Sequence, residues 1–118
     1  MATDIGKELR KLRIDRDERL LDMADRIGKS ASFVSAVEVG KKAPPAGFEE
    51  EIIRIYDLNH ESAESLRRAA DRSRNSFLIE PKSELARDTA GLFARKIDDL
   101  SATQLKRMQD ILRGKKRM

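Results

Sequence analysis

The residue types that most often carry covalent or metal chemistry are almost missing from this chain. It has one histidine, His60, and no cysteine. His60 stands between Asn59 and Glu61 at a predicted helix start, with no second ligand at metal spacing, so capping or solvent exposure is its expected role. Glycine patterns that cradle nucleotide phosphates are absent as well. The sequence therefore predicts no catalytic residue, no metal, no cofactor and no enzymatic activity. What remains is charge. Between positions 26 and 42 stand Arg26, Lys29, Lys41 and Lys42 against the single acid Glu38, a local surplus that suits binding an anion rather than making or breaking bonds.

The elements that must hold those side chains are helical by composition. Charged residues make up 39% of the 118 positions and aromatics 4%, with no tryptophan, which favours helices over a β-rich core. That length allows one domain, or one domain with a short appendage, and excludes two full domains. The net charge of +4 is not evenly spread. Residues 1–80 hold fifteen Lys and Arg against sixteen Asp and Glu, whereas residues 81–118 hold ten against five. Global charge thus says nothing for the N-terminal part. Apolar runs reach only three or four residues, too short for a membrane span or a secretion signal. Together with the missing cysteines, this predicts a cytoplasmic protein with no membrane partner.

Apolar spacing gives the order of helices. Ile5, Leu9 and Leu12 predict a first helix over about 3–14, and Leu20, Met23, Ala24 and Ile27 a second over about 18–27, with Asp17 as its N-cap and Gly28 as its stop. Ser30 then caps a short third helix, 31–38, whose Val34 and Val37 face inward before Gly40 ends it. Lys41-Lys42-Ala43-Pro44-Pro45 must be a loop. Phe48, Ile52, Ile55 and Tyr56 mark a fourth helix over about 47–57, and Leu66, Ala69 and Ala70 a weaker fifth over about 61–73. Phe77-Leu78-Ile79-Glu80 has strand-like character. Leu85, Leu92, Phe93 and Ile97 predict a sixth helix, the capping box Ser101–Gln104 starts a seventh with Leu105, Met108, Ile111 and Leu112, and residues 114–117 form a basic tail.

The stretch from Met23 to Lys41 resembles the helix-turn-helix of phage repressor/Cro-type (XRE family) regulators. The resemblance covers about residues 5–58 and rests on Ala24, Gly28, Ser30, Val34, Val37, Glu38, Gly40, Lys41 and Pro44. It implies an all-α fold: a five-helix lambda-repressor-like helix-turn-helix domain in residues 1–75, then a short strand-like segment and a C-terminal two-helix extension in 76–118. Mechanical reasons stand beside it. A small Ala24 lets the third helix cross close over the second, and Gly28 can take the left-handed conformation of a tight turn.

By the same resemblance the third helix enters the major groove of double-stranded DNA, with Ala31, Ser32, Phe33, Ser35 and Ala36 toward the bases. No Gln, Asn or Arg stands at these positions, which differs from many members. Serine reads ambiguously, while Ala31, Ala36 and Phe33 can touch a thymine methyl; Phe33 can equally pack in the core beside Val34. Arg19, Lys29, Ser30, Lys41 and Lys42 are the expected phosphate ligands, and Leu20 replaces a phosphate-gripping Gln. Glu38 is expected to lock onto Arg13 as a bidentate pair.

The implied function is a sequence-specific transcriptional regulator, a repressor acting as a homodimer on palindromic operator DNA. Phe77, Leu78, Ile79, Leu85, Leu92 and Phe93 are the expected dimerisation residues, with Phe77–Ile79 pairing to a second copy. The alternative is an antitoxin whose C-terminal helices hold a toxin, and a third reading is an adaptor that keeps the fold without binding DNA.

Overall fold

The computed structural model describes residues 3–114. Among them every regular element is helical: α1 (Asp4–Asp15), α2 (Leu20–Ile27), α3 (Ala31–Glu38), α4 (Phe48–Ile55), α5 (His60–Arg72), α6 (Glu84–Lys96), a short 3₁₀ turn (Ile97–Asp99) and α7 (Ala102–Leu112). The fold is all-α. No helix among the described residues is long and apolar enough to cross a membrane.

The helix starts are chemically defined. Thr3, Ser30, Asn59, Ser83 and Ser101 each accept a backbone N–H of the following first turn, which satisfies donors that would otherwise be left open. Ser101 and Gln104 form the reciprocal capping box, at 3.1 and 2.9 Å. α2 begins differently from expectation. Asp17 is not its cap, because the Glu18 N–H donates back to the Arg13 carbonyl at 2.8 Å and closes α1, leaving Asp17 left-handed at φ 54°. Arg19 takes the cap position instead, and its N–H is accepted by the Asp22 carboxylate at 2.9 Å.

The chain divides into two compact units, Met1–Phe77 and Leu78–Met118, where the sequence places the boundary after Asn75. In the first unit α1 packs on α3 and α5, α2 on α3 and α4, and α4 on α5. Ile5, Leu9, Met23, Val34, Val37, Ile52 and Ala70 are completely enclosed or nearly so, and with Phe48, Tyr56 and Leu66 they form one contiguous core. Each short helix is held by that shared burial, since two turns alone would melt in water.

Among the described residues of the second unit, neither α6 nor α7 has a buried residue. The strand expected at 77–80 is absent. These residues carry no ladder and Phe77, Leu78 and Ile79 are 61, 84 and 63% exposed, because an isolated extended segment without a pairing edge gains nothing from being a strand. Of the expected basic tail, Lys115 to Arg117 lie outside the described residues.

Candidate nucleic-acid interface

Gly28 makes the junction between α2 and α3. Its φ of 72° is left-handed and the space around it is open, so the backbone conformation alone is what calls for glycine. The Lys29 N–H then reaches back to the Ala24 carbonyl at 2.9 Å, and Ala24, 1% exposed, belongs to the core that also holds Val34 and Val37 of α3. Ser30 Oγ accepts the Phe33 N–H at 3.1 Å. The cap uses a lone pair of this serine oxygen, and the hydroxyl proton is left as a donor that a phosphate would accept.

One side of α3 is left for solvent. Ser32 and Ser35 are exposed, Ala31 and Ala36 half-buried, and with Leu20, Val39 and Lys41 they line a shallow, open depression. A helix advances by about 100° per residue, so Phe33 is turned away from this side toward that of Val37. Its ring meets Phe48 edge-on, centroids 5.8 Å apart. Over the same ring lie Lys29 Nζ at 5.7 Å and Lys42 Nζ at 5.3 Å. The three lysines therefore separate: Lys41 borders the depression, while Lys29 and Lys42 flank Phe33. Arg19 is exposed but paired with Asp22, Nε to Oδ2 at 3.2 Å, and the hydrogen bond from its guanidinium holds the Asp22 carboxyl below the usual carboxylate range.

The inner end of α3 is fastened to α1 through a single residue. Arg13 donates from Nε at 3.2 Å and from Nη2 at 3.0 and 3.1 Å to the two carboxylate oxygens of Glu38, and the side chains are 14 and 8% exposed. The Glu38 carbonyl in turn accepts the Thr3 N–H and hydroxyl, both at 3.2 Å. Gly6 makes this approach feasible, for a Cβ there would run into the Glu38 carbonyl. Thr3 and Gly6 were not legible as site residues, because a glycine inside a helix reads from sequence as a weak point rather than a crossing.

Two further clusters escaped the sequence reading. Glu18, at the start of the predicted second helix, accepts the Tyr56 hydroxyl at 2.6 Å and pairs with Arg26 at 2.6 Å. Arg26 and Arg16 lie over the Tyr56 ring at 4.7 and 5.2 Å, and burial first, then Glu18, pushes the Tyr56 hydroxyl far above its usual pKa. Arg26 is thus already neutralised, and the basic surplus around α3 reduces to its lysines. The second cluster is Arg74, just past α5. It donates to the Pro44 and Pro45 carbonyls at 3.0 and 2.8 Å and to Glu49 at 2.9 and 2.6 Å, tying down the chain that follows Lys41 and Lys42.

The expected dimerisation residues are exposed, Leu85 at 78% and Leu92 at 55%, apart from Phe93, which is half-buried. His60 is the exposed first residue of α5, and among the described residues no group of metal-ligating side chains converges. Comparison with protein-family models, with curated proteins and with solved structures gave no match.

Proposed function

We propose that this chain is a sequence-specific DNA-binding regulator of transcription, a repressor working as a homodimer, built on a five-helix lambda-repressor-like helix-turn-helix domain. The observation that carries the reading is the α2–Gly28–α3 unit: a short capped helix, rigidly fixed at its inner end by Arg13–Glu38, with small side chains outward and lysines before and after it. A helix of that size and surface suits the major groove. With only serines and alanines facing outward, base preference would come from methyl contacts, water and DNA shape. The lysines supply affinity through phosphates.

The test is binding to duplex DNA from upstream of the protein's own gene. Affinity should fall linearly, on logarithmic axes, with salt, and an unrelated duplex should compete poorly. Equal competition by any duplex would remove the sequence-specific part of the reading. No binding at low salt would remove all of it.

A second reading has an observation of its own. Leu78, Ile79, Leu85 and Leu92 expose apolar surface in the second unit, which a toxin could cover in an antitoxin as well as a second copy could in a repressor. Purification of the tagged protein from its native source separates the two: a stoichiometric second polypeptide supports the antitoxin, and a pure homodimer the repressor.

A further inference from the structure

We infer that Phe33 is a positioning residue, which holds Lys29 and Lys42 as a preformed cationic pair for the DNA backbone and does not itself read a base; the inference rests on the DNA reading above. Three observations carry it. Phe33 is turned away from the open depression toward the flank of α3, and the lining includes Ser32, Ser35 and Ala36 but not Phe33. Its ring is itself fixed, edge-on against the buried Phe48 at 5.8 Å. Finally, it gathers two ammonium groups that the sequence places thirteen positions apart, one from the turn before α3 and one from the loop after it, at 5.7 and 5.3 Å from its centroid.

The physical argument is one of preorganisation. A free lysine loses much of its rotamer freedom when it settles on a phosphate. A ring that already holds the ammonium by its quadrupole removes part of that cost before DNA arrives. Lys29 and Lys42 sit in exposed positions, with Glu38 committed to Arg13 at the far end of the helix, so no carboxylate on α3 competes for them. The ring faces two cations and gives no sequence information. Its contribution is therefore shared by all duplexes.

The experiment compares wild type with Phe33→Leu, which keeps an apolar contact to Phe48 but removes the π face, and with Phe33→Tyr, which keeps the ring. Proton NMR of the lysine ε-methylenes reports the geometry without DNA. Lys29 and Lys42 should show upfield ring-current shifts in wild type and Phe33→Tyr that vanish in Phe33→Leu. Binding is then measured with one A·T-rich and one G·C-rich short duplex across a salt series. Phe33→Leu should weaken both by the same factor, about fivefold, with Phe33→Tyr near wild type. A changed ratio between the two duplexes would make Phe33 a reader of thymine methyls and overturn the inference, as would lysine shifts that ignore the Leu substitution. If wild type binds neither duplex while the ring-current shifts behave as described, it is the DNA reading that fails, and the pair loses its role with it.

Discussion

Arg74 closes on Glu49 through two hydrogen bonds of 2.6 and 2.9 Å, joining the chain beyond α5 to the first turn of α4. The guanidinium holds the Glu49 carboxyl below its ordinary value near 4.5, chiefly by hydrogen bonding and against the opposing effect of burial. A carboxyl with a lowered folded pKa adds stability above its unfolded pKa, and that stability is lost as pH falls through the folded value. Urea midpoints of wild type should therefore drop as pH falls below the ordinary carboxylate value near 4.5 and through the lowered value of Glu49. In Arg74→Met, Glu49 is left buried without its partner. That variant should lose about 3 kcal/mol at neutral pH and show a flatter acid limb. An acid limb identical in the two proteins would mean that other carboxylates govern acid unfolding.

Glu38→Ala leaves Arg13 without a partner in a mostly enclosed site and should cost on the order of 3 kcal/mol in thermal or urea unfolding. An unchanged melt would assign the pair to the solvated surface.

Gly6→Ala tests the crossing of α1 over α3 from the other direction. Here the added methyl meets backbone, the Glu38 carbonyl, which cannot swing aside as a flexible side chain would. A loss of about 1–3 kcal/mol is expected, although Ala is the better helix former by about 1 kcal/mol. A gain in stability would show that α1 shifts freely.

How much of this was readable beforehand depends on the range of each interaction. α3 has the bounds that Ser30 and Gly40 imply, because capping and left-handed turns are local chemistry written in adjacent residues. The Ser101–Gln104 box is legible for the same reason. Arg13 and Glu38, twenty-five positions apart, were paired only through a resemblance of pattern. The Glu18–Tyr56 and Arg74–Glu49 contacts span 38 and 25 positions with no periodic signature, so charged residues there look like ordinary surface. An acid before an apolar stripe suits two structures, a cap or a left-handed link, and at Asp17 the choice between them is made by the Glu18 N–H. Phe77–Ile79 has the apolar content that suits a strand, but a partner edge is what makes one.

Among the surface lysines, Lys41→Ala should lower affinity for every duplex and reduce the slope of log affinity against log salt by about one. Ser32→Ala, on the exposed side of α3, should leave that slope alone and change the preferred site. Titrations at several salt concentrations distinguish them. A wild-type slope in the lysine variant would make Lys41 a bystander.

The core residues all lie between Ile5 and Ala70, so a chain ending at Asn75 should fold. If the second unit carries dimerisation, that shorter chain sediments as a monomer and binds DNA far more weakly than the full chain, having lost the linkage of two half-sites. A dimeric shorter chain would move the interface into the first unit.

Helices α6 and α7, thirteen and eleven residues long without one buried side chain, are too short to persist on helix propensity alone. Their opening free energy should stand at the bottom of the range found within one protein, far below that of α1 or α5. Amide exchange will then proceed there at rates set by whatever covers them, and a protease will meet the same helices in proportion to the uncovered fraction. If a second copy or another protein covers these helices, as proposed above, the lifetime of a molecule becomes a measure of its occupancy: an assembled protein would endure, and an unaccompanied one would be cut first within α6 and α7.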